Sequence, residues 1–400
     1  MTHHPRRQRP DRLRALPGYF LLGFATVGGT WALWNHDQAF SALDYRYLAE
    51  FEYPSWSTMV SKEWMNGFDT YVDERVPARE KLLEAHAAIT TDVLRDPVLN
   101  GVYVGDADGR LLQKPMNQPY REELPSEAAT LAQTVRAAGA EMLWVYVPRR
   151  EEVYADLLPE AWDNQYPERR YSVVEAFEST GEQTLDLTAA LAADDVRDRY
   201  FFATDHHWTV DGAVTAAEAI VQALDDSGVV TGTDEREYVR ERSPLAFVGT
   251  LGREVTLGAT DAEPFEYLVP ADGWRSRICD GDDCSQVPIV AEYLEDPDPY
   301  ANRYNAWIGG DDGLVHLHND DTAAEGTVVL IKDSYGNALA PYLAERVTDL
   351  YVIDERHYGG AALGDFFAQI GPDAVVTMHN QVSLLSRNFE SSVWTDGAQP

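Results

Sequence analysis

Asp205-His206-His207-Trp208 places a carboxylate and two imidazoles at consecutive positions. Far downstream, Thr327 to Asn337 runs apolar from Val328 to Ile331 and then reads Lys332-Asp333-Ser334-Tyr335-Gly336-Asn337. A carboxylate beside an imidazole fixes its tautomer and stabilises the imidazolium that forms on proton transfer. A serine hydroxyl is a weak nucleophile until such a base takes its proton. The two segments therefore hold the side chains of Ser-His-Asp acyl chemistry, with Ser334 as nucleophile, His207 as base and Asp205 as its orienter. His206 is expected to point elsewhere, because neighbouring side chains diverge in extended chain.

Other readings of the same residues stay open. Ser334 precedes a helix-like stretch and fits a capping serine. Asp205, His206 and His207, joined by His316 and His318, would suit a metal centre, although no His-Glu-x-x-His spacing commits the ligands. No cofactor is implied.

A buried strand followed by a turn and a helix must present Ser334. The chain reads that way. Val328 to Ile331 is a short apolar run, and residues 336–346 carry a helical pattern. The rhythm continues with a strand at 349–353, a helix at 360–370 and a strand at 374–378. Upstream, a helix at 126–138 leads into Met142 to Val147, and a further helix and strand end at Leu187. Residues 210–224 form an amphipathic helix with Thr209 as N-cap. Apolar strands between helices predict a parallel sheet with helices on both faces. Ligands bind at the carboxyl ends of such strands, where the N–H groups after Ser334 and the Asn337 amide would meet an oxyanion. Gly336 would allow close backbone approach. From 228 to 325 glycine, aspartate, proline and isolated aromatics replace helical periodicity, which reads as a β-rich insertion. Residues 36–99 read as a mostly helical stalk, so the α/β body runs from 100 to 395.

The chain has 400 residues, 44% of them hydrophobic, and a formal charge of −35. Such acidity argues against nucleic acid, which demands a basic footprint. Lys62, Lys81, Lys114 and Lys332 are the only lysines. The N-terminus departs from this pattern. Arg6, Arg7, Arg9, Arg12 and Arg14 form a basic tail over 1–15, followed by an uncharged run from Leu16 to Trp34. As a helix that run spans about 28 Å, close to the hydrocarbon thickness of a bilayer. Tyr19, Trp31 and Trp34 suit its interfaces, and the arginines should stay in the cytoplasm. The expectation is a single-pass cell-membrane anchor with an extracytoplasmic body; a cleaved signal peptide ending near Ala39 is the alternative. Cys279 and Cys284 bracket a four-residue turn and suit a disulfide in an exported protein.

These motifs together resemble the DHHW family of exported bacterial proteins, which is similar to the alginate O-acetyltransferase group with its SGNH-hydrolase-like fold. Asp205-His-His-Trp208-Thr209 carries the family signature. Phe68 to Arg79, Gly101-Val-Tyr-Val-Gly105, Val145-Tyr-Val-Pro148-Arg-Arg150, Phe247-Val-Gly249-Thr-Leu251, Trp307-Ile-Gly-Gly310 and Ile331-Lys-Asp-Ser-Tyr-Gly-Asn337 follow in consistent order from about 60 to 385. The resemblance implies Asp205, His207 and Ser334 as the triad, permuted relative to ordinary SGNH hydrolases, with Lys332, Tyr335 and Arg150 as support. Arg150 stands where the pattern leads to a lysine, and Glu355 where it leads to an apolar residue. The implied activity is acyl, above all acetyl, transfer to a cell-surface polysaccharide, with a membrane-bound O-acyltransferase as partner. A glycan esterase or a glycan-binding protein of the same fold is the alternative.

Overall fold

The apolar run from Val328 to Ile331 lies at the centre of an eight-stranded sheet in the computed structural model. The structure describes residues 40–105, 108–193, 197–229, 236–281, 283–386, 389 and 392–395, together with Tyr19, Gly23, Thr26, Val27, Thr30 and Trp31. The chain divides into two units, Met1–His86 and Ala87–Pro400. In the first, helices cover Trp56–Val60, Glu63–Glu74 and Arg79–Ala88, the last crossing the boundary. The six described residues between 19 and 31 are all helical. Most of the expected anchor at 16–34, and the whole basic tail, lie outside the described residues. Among the described residues no helix is long and apolar enough to cross a membrane.

In the second unit the sheet strands are β1 (Glu141–Tyr146), β2 (Gln183–Asp186), β3 (Ser276–Asp280), β4 (Asp283–Gln286), β5 (Leu314–Asn319), β6 (Thr327–Lys332), β7 (Asp349–Asp354) and β8 (Ala374–His379). Their spatial order is β4-β3-β5-β7-β6-β8-β1-β2. The helices that matter here are α1 (Leu124–Ala137), α2 (Tyr166–Glu178), α3 (Val210–Asp226), α4 (Thr250–Val255), α5 (Tyr335–Ala344), α6 (Leu363–Ile370) and α7 (Gln381–Leu385).

Alternation along the strands builds two cores. Val328, Leu330, Leu350, Val352 and Val376 face α3 and α5. Met142, Trp144, Val329, Ile331 and Val375 face α1, α2 and α6. Strands buried on both sides are largely apolar, so the alternation of polar and apolar residues is lost in β6 and β8. Each such side chain contributes about 1.5–3 kcal/mol on burial.

The sheet is mixed, not parallel throughout. β7, β6, β8, β1 and β2 pair in parallel, whereas β5 pairs antiparallel with β7, and β3 with β5 and β4. The stretch read as a β-rich insertion thus supplies three strands of the main sheet. It also contains α4, beside a separate ribbon of Tyr238–Arg242 with Glu266–Pro270. β5 alternates buried and half-exposed residues because it covers the core on one face only. The Cys279–Cys284 disulfide closes the β3–β4 hairpin, as expected.

Candidate active site

Ser334 stands at the carboxyl end of β6, immediately before α5, and is half-buried. Residues 201–209 cross the same end of the sheet and lead into α3. Two large side chains weld these segments. The Trp208 indole N–H donates to the Tyr335 carbonyl at 3.1 Å. The Tyr335 hydroxyl donates to the His206 carbonyl at 2.6 Å. Both rings are fully buried. Losing either hydrogen bond costs about 0.5–1.5 kcal/mol beyond the lost packing.

That weld brings together groups 127 positions apart in sequence: His207 Nε2 lies 2.7 Å from Ser334 Oγ. His207 Nδ1 lies 2.6 Å from Asp205 Oδ1, which also accepts the His207 backbone N–H at 2.9 Å. The other carboxylate oxygen, Oδ2, accepts the Thr250 N–H at 2.7 Å and its hydroxyl at 3.0 Å. Burial alone would raise the Asp205 carboxyl; the adjacent His207 and these hydrogen bonds outweigh it and hold the group well below the ordinary carboxylate range. A Cβ on Gly249 would sit 2.4 Å from the Asp205 Cβ, so only glycine lets α4 deliver its first N–H to this carboxylate.

Arg150 is completely buried and donates to the Asp205 carbonyl at 2.5 Å and the Ala203 carbonyl at 3.3 Å. Burial pulls its guanidinium below the ordinary value. It props the Asp205 loop from beneath through its backbone. Glu263 supports the same loop, accepting the Ala203 and Thr204 N–H groups at 2.8 and 2.6 Å.

The other expected residues take definite positions. The N–H groups of Tyr335, Gly336 and Asn337 are already engaged by Asp333 Oδ1, Asp333 O and Ser334 O. The Asn337 amide donates to Asp311 Oδ1 at 2.7 Å. Lys332 is buried and reaches Asp354 at 2.8 Å and Asp311 at 3.4 Å. Burial would raise Asp354; the Arg356 hydrogen bond and Lys332 outweigh it and bring the carboxyl down to about 2. Gly336 approaches Lys332 closely: a Cβ there would meet that side chain at 2.6 Å. Its lack of a side chain serves internal packing. Thr209 occupies the N-cap of α3, but its hydroxyl donates to the Arg199 carbonyl instead of capping the helix.

His206 does not diverge from its neighbour. The backbone bends across 203–207, so strand alternation fails there. The His206 ring rests 3.8 Å from the His207 ring, and its Nδ1 lies 3.6 Å from Asp205 Oδ1. Burial and the neighbouring imidazole push its pKa well below the ordinary value. On the opposite side Tyr304 stacks on His207, with centroids 3.9 Å apart and planes 14° apart. The Tyr304 hydroxyl is buried and has no hydrogen-bond partner among the described residues. Tyr304, Glu263 and Asp311 carried no signal of their own, whereas Thr250 lies inside the Phe247 to Leu251 landmark and Asp311 directly follows Trp307 to Gly310.

The five-residue metal centre considered from sequence is split. Asp205, His206 and His207 cluster beside Ser334, whereas His316 and His318 gather around Asp349, which opens β7 at the amino edge of the parallel strands. Both ring nitrogens of His207 are engaged by Asp205 and Ser334. A metal at this end would have to break that relay.

Two family models match the chain. The SGNH hydrolase-like domain of the acetyltransferase AlgX matches residues 107–268, and the DHHW protein family matches residues 190–353. Both include Asp205 and His207; the second also includes Ser334. The chain resembles the DHHW and AlgX-type proteins. Against the curated proteins nothing matches. Among solved structures, a DHHW family protein from Eubacterium siraeum is 22% identical with a TM-score of 0.56, covering 74% of this chain and 95% of its own. Bacillus cereus PatB1 is 17% identical with a TM-score of 0.59, covering 72% and 99%. PatB1 with a sulfonyl adduct gives 18% and 0.60, covering 72% and 98%. At these identities the likeness establishes a shared fold.

Proposed function

We propose that this protein is an acyl-transfer enzyme in which Ser334, His207 and Asp205 act as a catalytic triad. The observation that carries the reading is the unbroken relay from Asp205 Oδ1 through His207 to Ser334 Oγ, at 2.6 and 2.7 Å. His207 Nε2 takes the Ser334 proton as Oγ attacks an acyl carbonyl. It returns that proton to the departing oxygen, leaving an acyl-serine. An acceptor hydroxyl then attacks the acyl-serine, with His207 again taking and returning a proton. Asp205, unable to rotate between His207 and Thr250, keeps the imidazole in the required tautomer. With its neighbours' N–H groups engaged inside the turn, the Ser334 N–H is the backbone donor assigned to the oxyanion.

The finer reading is acetyl transfer to a cell-surface glycan. The match to the acetyltransferase AlgX domain and the DHHW resemblance support it. The basic tail and the uncharged run at 16–34 support a membrane anchor with the body outside the cytoplasm, beside a membrane-bound O-acyltransferase that supplies the acyl group.

An aryl acetate donor and a glycan oligosaccharide acceptor test the proposal. Acetyl on the acceptor by mass spectrometry identifies a transferase, and free acetate alone identifies an esterase. A sulfonyl fluoride should label Ser334 in the wild type and leave His207→Ala unlabelled. A wild type that neither turns over ester nor takes the label, yet retains the oligosaccharide, is a binding protein.

A further inference from the structure

At the opposite end of the sheet from Ser334, β5 and β7 converge three side chains that the proposed reaction does not use. His316 and His318 are two apart on β5 and so share one face. In the antiparallel register His318 faces Asp349, and His316 faces Tyr351. His316 Nε2 lies 2.7 Å and His318 Nδ1 2.9 Å from the same oxygen, Asp349 Oδ1. The three candidate ligand atoms lie within 4.8 Å of one another. His316 lies flat on Tyr351, with centroids 4.3 Å apart and planes 4° apart, which fixes the direction of its nitrogens. The three side chains are 27%, 37% and 23% exposed, open enough to admit an ion with a water of its own.

As a hydrogen-bonded ion cluster at a half-exposed position, this arrangement contributes little stability. Two imidazoles and a carboxylate aimed at one point form a donor set suited to a divalent transition ion, which binds imidazole nitrogen and carboxylate oxygen together. Asp320 adds negative charge 3.9 Å from His318 Nε2. Arg277 faces His318 in register from β3, but its guanidinium turns aside to the Trp274 and Ser276 carbonyls. The formal charge of −35 draws cations toward the whole molecule.

We propose that His316, His318 and Asp349 form a zinc-type metal site, with three protein ligands and water completing the shell. The ion would displace the protons now shared with Asp349. It would pin β5, the first antiparallel strand, to β7, the last parallel one. Lying at the sheet end away from Ser334, the ion takes no part in the triad's chemistry.

The test uses the full chain, stripped with chelator and dialysed against zinc chloride. The wild type should take up one tight equivalent. His316→Ala, His318→Ala and Asp349→Asn should each weaken binding by more than the roughly 10–100-fold that loss of a supporting partner costs. His206→Ala should retain it. Cobalt gives a second readout: visible absorption in the wild type, absent in His318→Ala. His318→Gln guards against misfolding, since it keeps a hydrogen-bonding side chain beside Asp349. Its melting temperature without metal should match the wild type, while the rise on adding zinc should vanish. Zinc uptake unchanged in all three ligand variants, or no wild-type binding tighter than roughly 1 mM, overturns the site.

Discussion

Among the described residues, two sets of one aspartate and two histidines lie one at each end of the same sheet. At the carboxyl end Asp205 is buried and both of its oxygens are occupied, by His207 and Thr250. At the amino end Asp349 is partly exposed and draws both rings to one oxygen. Residue types are shared; partners and closure differ. In the first set the ring next to the carboxylate sends its far nitrogen to a serine. In the second, both imidazoles aim their near nitrogens at one oxygen. On the proposed readings, what its second nitrogen meets decides whether a histidine serves as base or as ligand.

The largest break in this contrast is expected at the relay. Ser334→Ala and His207→Ala should each lower aryl acetate turnover by roughly 10³-fold or more, while His318→Ala leaves it near wild type. Circular dichroism should show folded protein throughout. Equal loss in His318→Ala would erase the distinction between the two ends. Asp205→Asn should lose about 10²–10⁴-fold through the wrong tautomer; the rate at saturating ester measures this directly.

A third carboxylate sharpens the role of partners. Glu152 is less buried than Asp205, and it meets the Arg149 N–H, Gln381 and the Tyr146 hydroxyl. Burial dominates these neutral partners and pushes its carboxyl up to about 7. The folded state therefore holds this proton more tightly than the unfolded chain. Its contribution favours folding most below pH about 4.5, declines as pH rises to about 7, and is level above. Glu152→Gln should flatten that slope and raise stability at pH 8 by at most about 3 kcal/mol. Melting temperature measured from pH 4 to 8 checks the sign; a variant less stable at pH 8 contradicts it.

Smaller effects probe the walls of the relay. Tyr304→Ala should cost about 10-fold in turnover by releasing the His207 ring, while Tyr304→Phe keeps the stack and most of the rate. His206→Ala should change turnover by less than about threefold, because that ring touches His207 without joining the relay. A loss as deep as that of His207→Ala, removable by chelator, would mean that metal chemistry operates at the carboxyl end.

The sequence exposed the relay because its members lie in two short, chemically dense segments, each tied to a strand or a helix start. Val328 to Ile331 and Val375 to Met378 were legible as strands, since burial on both faces favours largely apolar runs, interrupted here only by Thr377. The antiparallel half of the sheet was not. Leu314 to Asn319 alternates and sits between glycine- and aspartate-rich turns, and its pairing with β7 depends on register that no local pattern encodes. The position of His206 was misread because alternation was assumed where the chain bends. Tyr304 was invisible for a related reason. It acts by ring stacking on His207, far away in sequence, and leaves no spacing behind.

The Trp208–Tyr335 weld carries a consequence for timing. The base is synthesised long before the nucleophile, and neither holds its position until the chain closes on itself. A nascent or clipped chain ending before Ser334 contains a complete Asp-His pair with nothing to activate. Under the proposed triad, reactivity reports completed folding, and a fragment released early is chemically silent.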